Sequence, residues 1–346
     1  MDLTEQLNAD LVLEGGGVKG IALAGAVSVL EEHGYHFRRV AGTSAGSLVG
    51  CLVAAGVPGS RLRDMMQSLD YLRFRDPPAL VHRFGRAGAF AAVLAYKGWC
   101  KGDALRDWVA GCLREAGVQT FADLALDDDG AAPDLQGDPD RRFRFVAMVS
   151  DLSQGRLVRL PWEYRERFGE DPRAASVADA VRASTAIPYY FRPARYPDLV
   201  SGREAWLVDG GLLSNFPIGV FDRSDVEPRW PTFGIKLSGD PAVSTTNDID
   251  GVISLSRAML STMTGFYDRM QTARPDVVAR TIVVDTKGVS ATDFSLSPDT
   301  AGTLFESGRV AAARFLAGWN FDDYKRRFRG VTDKTPETTS AGRDAR

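Results

Sequence analysis

A serine stands between glycines at residues 42–46, GTSAG, where an apolar-ending run (37–41) gives way to a helix-like one. A serine hydroxyl is a poor nucleophile until a base takes its proton. A sharp strand–turn–helix elbow strains the serine but projects its Oγ into the open, and flanking glycines relieve the crowding. Ser44 is therefore a candidate nucleophile, with Gly42, Thr43, Ala45 and Gly46 as the elbow around it. Small Ala45 and Gly46 let the following helix start close to the strand. That helix aims its first amides and the positive end of its dipole at developing negative charge. Chance also produces G-x-S-x-G in glycine-rich chains, so the reading depends on the partners the chain can supply.

The first partner is a base. The chain has three histidines, His33, His36 and His82. A serine–histidine–acid triad in the α/β-hydrolase order needs a histidine late in the chain, and none follows residue 82. A carboxylate acting directly on the serine is the remaining economical choice. Asp209 is the best placed, because LVDGG sets it at the end of an apolar run with Gly210 and Gly211 behind it. Two glycines let the chain approach another backbone closely, although Asp-Gly-Gly is also a common turn. Asp151 and Asp285 follow strand-like runs without the glycine pair and read as structural.

A second glycine turn, GGGVKG (15–20), matches G-x-G-x-x-G through Gly15, Gly17 and Gly20. A dinucleotide site would also need an acid at the end of the second strand. That strand ends FRRVAGTS, and Glu31 and Glu32 fall on the preceding helix. A different use fits better. Gly16, Gly17 and Val18 can offer backbone N–H groups to an oxyanion, with the helix dipole behind them. Lys19 reads either as a loop-fixing positive charge or as a solvated surface lysine.

These turns need elements to hold them. Residues 11–13, 37–41, 143–151, 156–161, 205–209, 232–237 and 280–286 read as strands. Residues 20–33, 44–55, 59–72, 104–116, 176–184, 250–271 and 299–317 read as helices, by apolar spacing, caps and breakers. Asp103 is the expected cap of 104–116, and 156–161 the hairpin partner of 143–151. The run 79–99 is apolar but broken by glycines, and its periodicity is poor. Alternating strands and helices predict an α/β fold with a mostly parallel sheet covered on both faces. In such sheets sites gather at the carboxyl ends of the strands, where the turns at 15, 42 and 209 all fall.

Composition narrows the function. The formal net charge of −3 argues against a nucleic-acid partner. Three cysteines, Cys51, Cys100 and Cys112, have no regular spacing, so neither a disulfide framework nor a zinc site is expected. Reduced thiols and a cytoplasmic location are the simplest reading. The N-terminus MDLTEQLNAD lacks a signal-peptide pattern. No run approaches the roughly 20 apolar residues that cross a bilayer, so lipid contact would be peripheral. Residues 127–140 read as an acidic loop insertion, and 332–346 as a disordered tail.

In chain order EGGGVKG (14–20), GTSAG (42–46), ASTAIPYYFRP (183–193), DGG (209–211) and SNFPIGVF (214–221) resemble the patatin-like phospholipases, a family of lipid acyl hydrolases. The resemblance covers about residues 9–320. It implies a three-layer α/β/α fold with a central, mainly parallel sheet, and a Ser–Asp dyad without histidine, metal or cofactor. Carried over, Ser44 is the nucleophile, Asp209 the base, and Gly15, Gly16, Gly17, Val18, Lys19 and Gly20 form the oxyanion hole. The family often has arginine where this chain has Lys19 and alanine where it has Gly211. Lysine keeps the charge but loses the bidentate fork. The implied substrate is a phospholipid or related lipid ester. A gated effector or binding protein on the same fold is the alternative. Residues 86–99 and 187–191 are candidates for an acyl groove or a membrane-facing surface, or are core packing. Arg73, Arg75, Arg83 and Arg86 either meet anionic head groups or form a solvated loop.

Overall fold

The centre of the sheet is built from strands that bury both faces, so they read as continuous apolar runs. Leu11, Val12 and Leu13 of β1 (Leu7–Leu13), Val40 and Ala41 of β2 (Tyr35–Thr43) and every residue of β4 (Phe145–Asp151) are buried. The computed structural model describes residues 7–67, 71–126, 138–223, 227–238, 258, 262, 274–286, 288–291 and 296–330. Within them the remaining strands are β3 (Gly98–Cys100), β5 (Arg156–Leu160), β6 (Tyr189–Phe191), β7 (Ala194–Asp198), β8 (Arg203–Asp209), β9 (Thr232–Ser238) and β10 (Thr281–Asp285).

The main sheet has the order β10-β9-β1-β2-β4-β8-β7, with β5 paired to β4 as an antiparallel hairpin. The pairs from β10 to β4 are parallel, while β4–β8 and β8–β7 are antiparallel. The sheet is thus mixed and mostly parallel, with β8 entering against the grain. β3 and β6 form a separate parallel pair.

Alternation along β4 shows the layering, since successive side chains of a strand point to opposite faces. Phe145, Ala147 and Val149 join the large core with helices α1 (Gly20–Glu32) and α2 (Ala45–Ala54). Val146 and Met148 join a smaller cluster with Val12, Ala41, Phe216, Ile218, Phe221 and Val277. Helices α3 (Gly59–Gln67), α4 (Ala79–Tyr96), α5 (Asp103–Glu115) and α6 (Val177–Ser184) follow in order. The described chain ends with the turn α7 (Pro275–Val278) and helices α8 (Pro298–Leu316) and α9 (Phe321–Phe328). Helices cover both sides of the sheet, as the α/β/α expectation requires.

One local expectation is corrected, and another is explained. The helix expected at 59–72 is described only to Gln67, and Tyr71–Phe74 is a separate 3-10 turn. The run at 79–99 is helical to Tyr96, but Gly85 (φ 52°) breaks it in two, which is why its periodicity is poor. The helix expected at 250–271 lies outside the described residues apart from positions 258 and 262. The tail at 332–346 and residues 127–137 of the acidic loop also lie outside them. Among the described residues, no helix is long and apolar enough to cross a membrane.

Candidate active site

Ser44 follows directly on β2 and precedes α2. Its backbone lies at φ 52° and ψ −121°, a region that costs a non-glycine residue about 1–3 kcal/mol and persists only where its surroundings impose it. Here they do. The Ser44 N–H donates to Ser184 Oγ at 3.1 Å, and Ser184 Oγ donates to the Met148 carbonyl at 2.6 Å. The Ser44 carbonyl accepts from Ser47 Oγ at 2.6 Å and from the Ser47 and Leu48 amides at 2.9 and 3.1 Å. The elbow glycines are sites of close approach. A Cβ at Gly46 would lie 2.2 Å from the Leu13 carbonyl oxygen, and one at Gly42 would lie 2.2 Å from that of Gly46.

Register brings Asp209 to the same level. Thr43 pairs with Met148 on one side of β4, and Asp209 pairs with Val149 on the other. β8 therefore stops beside the middle of β4, one position beyond the level of Thr43. Its turn then leans across β4: a Cβ at Gly210 would lie 2.3 Å from the Met148 carbonyl oxygen and 3.1 Å from Thr43 Cγ2. The Ser44 hydroxyl lies close enough to the Asp209 carboxyl to favour its charged form, and that carboxyl accepts from the Gly211 amide at 2.8 Å. The Asp209 N–H is held by the Ala186 carbonyl at 2.9 Å. Both side chains are nearly enclosed. Burial pushes the Asp209 carboxyl up to about 6, against the lowering effect of Ser44 and Gly211.

The amides of the glycine loop can be accounted for one by one. Gly15 N–H goes to the Asn215 carbonyl at 3.0 Å, Lys19 N–H to Gly16, and Gly20 N–H to Gly17. Val18 N–H goes to the Ala291 carbonyl at 3.1 Å. Val18 was expected among the donors to an oxyanion, but its hydrogen is already engaged by a residue far along the chain. Among the described residues, the Gly16 and Gly17 amides have no protein partner, and they are the ones available to a ligand. Gly15 borders the serine: a Cβ there would lie 3.2 Å from Ser44 Cβ.

Lys19 is no solvated surface lysine. It is largely enclosed, and desolvation lowers its affinity for a proton, with Glu14 opposing and Lys236 adding to the effect. Glu14 is itself buried, paired with Lys236 Nζ at 2.5 Å and bonded to the Leu237 amide, and so ties the end of β1 to β9.

The histidines stay outside. His33 Nδ1 pairs with the Val29 carbonyl at 2.8 Å at the end of α1. His36 is exposed near the start of β2, about 26 Å from Ser44 at the ordinary strand rise. His82 is exposed on α4. Asp151 is paired with Arg167 at 2.6 Å, and Asp285 lies exposed at the end of edge strand β10. Burial raises the thiols, Cys100 to about 12 and Cys112 to about 11, with Cys51 higher still, so none is a thiolate nucleophile near neutral pH. Among the described residues, no cluster of histidine, cysteine and carboxylates could hold a metal ion.

Two residues of the site carried no role in the sequence. Ser184 supports the strained backbone of Ser44. Asn215 accepts from Gly15 through its carbonyl and donates to the Gly15 carbonyl through Nδ2 at 3.0 Å. Both fall in the runs ASTAIP and SNFP, which carry the resemblance without revealing what their polar atoms do.

A family model described as Patatin-like phospholipase matches residues 11–222, more than half of the chain. The chain belongs to the patatin-like phospholipase family. The matched span takes in the glycine loop, the elbow and the DGG turn, while β9 and β10 extend the patatin-like sheet beyond it. YqhO of Bacillus subtilis (strain 168) is 33% identical over 316 residues, which is 90% of this chain and 99% of YqhO. VipD from Legionella pneumophila aligns over 90% of this chain and 67% of its own, at 18% identity and a TM-score of 0.49. The type III effector protein ExoU aligns over 90% of this chain and 53% of its own, at 15% identity and a TM-score of 0.46.

Proposed function

We propose that this chain is a serine lipid acyl hydrolase, with Ser44 as nucleophile and Asp209 as its base, acting on esters of phospholipids or related lipids. The catalytic unit is residues 9–320, and it works from the cytoplasm in peripheral contact with a membrane. The observation that carries the reading is the strained Ser44 elbow brought by the sheet register beside a buried carboxyl whose pKa is raised to about 6. An aspartate poised there is ionised at neutral pH, yet its conjugate acid is strong enough to protonate a leaving alkoxide.

Asp209 takes the hydroxyl proton as Ser44 Oγ attacks the ester carbonyl. The amides of Gly16 and Gly17 receive the oxyanion, aided by the start of α1. Collapse of the tetrahedral species breaks the ester bond, and Asp209 returns the proton to the departing alcohol. A water, deprotonated by Asp209, then attacks the acyl-Ser44. A second collapse releases the fatty acid and restores the serine hydroxyl. No metal or cofactor enters any step.

Fatty-acid release from mixed phospholipid vesicles tests this, with wild type and Ser44→Ala side by side. Release that vanishes in Ser44→Ala supports the reading, and equal release from both overturns it.

The gated alternative has one observation in its favour. Ala291 rests on the glycine loop, its carbonyl on Val18 N–H and where a Cβ of Gly17 would be. Wild type that releases nothing from vesicles or short-chain esters, while Ser44 still reacts with an active-site probe, favours a gate.

A further inference from the structure

Helix α4 is packed inside out. A surface helix ordinarily turns its large apolar side chains to the core and its polar ones to water. Here Ala92 is fully buried and Gly88 faces inward, while Phe90 and Leu94 are 61% and 60% exposed. Phe84 and Tyr96 add 55% and 47% exposure toward the two ends of the helix. Phe90 and Leu94, one helical turn apart, share one exposed face, and large apolar groups exposed together mark a surface meant to be covered.

The charge around this face points to what covers it. Residues 77–102 include Arg83, Arg86, Lys97 and Lys101 and no aspartate or glutamate, in a chain whose formal net charge is −3. Arg83 and Lys97 stand exposed near the two ends of the apolar face. An amphipathic helix with bulky apolar residues between basic ones suits the boundary of an anionic lipid layer.

The face also stands near the reaction. β3 follows α4 directly and pairs with β6. β6 begins at Tyr189, three residues after Ala186, whose carbonyl holds the Asp209 amide. Three residues of chain span at most about 10 Å. Tyr189 is itself 44% exposed and sits at φ 66°.

We propose that α4 docks this protein on an anionic lipid surface, with Phe90 and Leu94 entering the acyl boundary and Arg83 and Lys97 meeting lipid phosphates. The proposal deepens the lipid-hydrolase reading, and rests on it for what docking is for.

The test measures binding of Ser44→Ala protein, which does not consume lipid, to phosphatidylcholine vesicles with and without phosphatidylglycerol. The anionic vesicles are expected to bind at least about tenfold more tightly, with the difference shrinking at high salt. Phe90→Ser/Leu94→Ser is expected to lose about tenfold or more of that binding, at an unchanged melting temperature. On the Ser44 background the same pair lowers release from vesicles but leaves hydrolysis of a monomeric short-chain ester within about twofold. Equal binding to both vesicles, or no effect of the double substitution on binding, overturns the docking proposal even if the enzyme hydrolyses lipid. Binding through α4 by a protein whose wild type hydrolyses nothing supports docking and overturns the hydrolase reading alone. A double substitution that converts a dimer to a monomer and leaves vesicle binding intact assigns the face to a second copy and overturns the proposal.

Discussion

Asn215 grips the Gly15 residue at both of its polar ends, accepting from its N–H and donating to its carbonyl, each at 3.0 Å. In a trans peptide the carbonyl of one residue and the N–H of the next point in opposite directions. Fixing the Gly15 carbonyl toward Asn215 therefore turns the Gly16 N–H away from Asn215. Asn215 thus aims a donor that it does not itself provide, and its chain position ties that donor to the turn carrying Asp209.

Asn215→Ala should consequently act on the transition state more than on substrate binding. The expected outcome is a fall in kcat of about a hundredfold with KM within about twofold, the size associated with losing one oxyanion donor. Steady-state kinetics on a soluble ester measures both. A raised KM with unchanged kcat would assign Asn215 to substrate binding instead.

Ser184→Ala removes the acceptor of the Ser44 N–H in a fully buried setting and relaxes a backbone held at φ 52°. A buried donor left without a partner costs about 1–3 kcal/mol. We expect a stability loss of that order in denaturant titrations, and a kcat lowered about tenfold as the serine drifts from its attack position. Full activity in the folded variant would mean that the elbow holds itself.

The raised Asp209 predicts opposite pH trends for activity and stability. The base must be ionised, so kcat/KM should fall about tenfold per pH unit below about 6. Stability moves the other way. The folded state keeps the proton that the unfolded chain loses from 3.8 upward, so ionisation at about 6 works against the fold as pH rises through that window. Asp209→Asn should therefore be inactive yet more stable than wild type at pH 8, by up to about 3 kcal/mol. Thermal melts at pH 4 and pH 8 would show that gain only at the higher pH.

Away from the site, buried Arg167 bridges two buried carboxylates, Asp151 at 2.6 Å and Asp198 at 3.4 Å. Arg167→Leu would strand both charges and should cost about 3–5 kcal/mol, read from the denaturation midpoint. Adding Asp151→Asn and Asp198→Asn should recover much of that loss, because neutral side chains no longer need the guanidinium.

What was legible in the sequence was the part that residue type alone encodes. Gly42 and Gly46 are required because carbonyl oxygens occupy the space of a Cβ, and such glycines survive as a pattern around Ser44. The DGG turn is legible for the same reason, as Gly210 lies on the Met148 carbonyl. The lack of a late histidine left a carboxylate as the economical base. What was not legible depends on residues distant in the chain. The loss of Val18 as a free donor requires Ala291, and part of the lowered proton affinity of Lys19 comes from the charge of Lys236. The reversed direction of β8 leaves no mark in its own composition. Helix α4 was obscured by Gly85 and by an apolar face turned outward, which together remove the usual alternation.

The central claim is that Asp209 activates Ser44, and covalent labelling tests it most directly. A fluorophosphonate reacts with an activated serine and forms a stable adduct that peptide mass spectrometry can place. The account predicts an adduct on Ser44 in the wild type, none in Ser44→Ala, and labelling slowed by at least about a hundredfold in Asp209→Asn. Labelling at another residue, or an unchanged rate in Asp209→Asn, would contradict it.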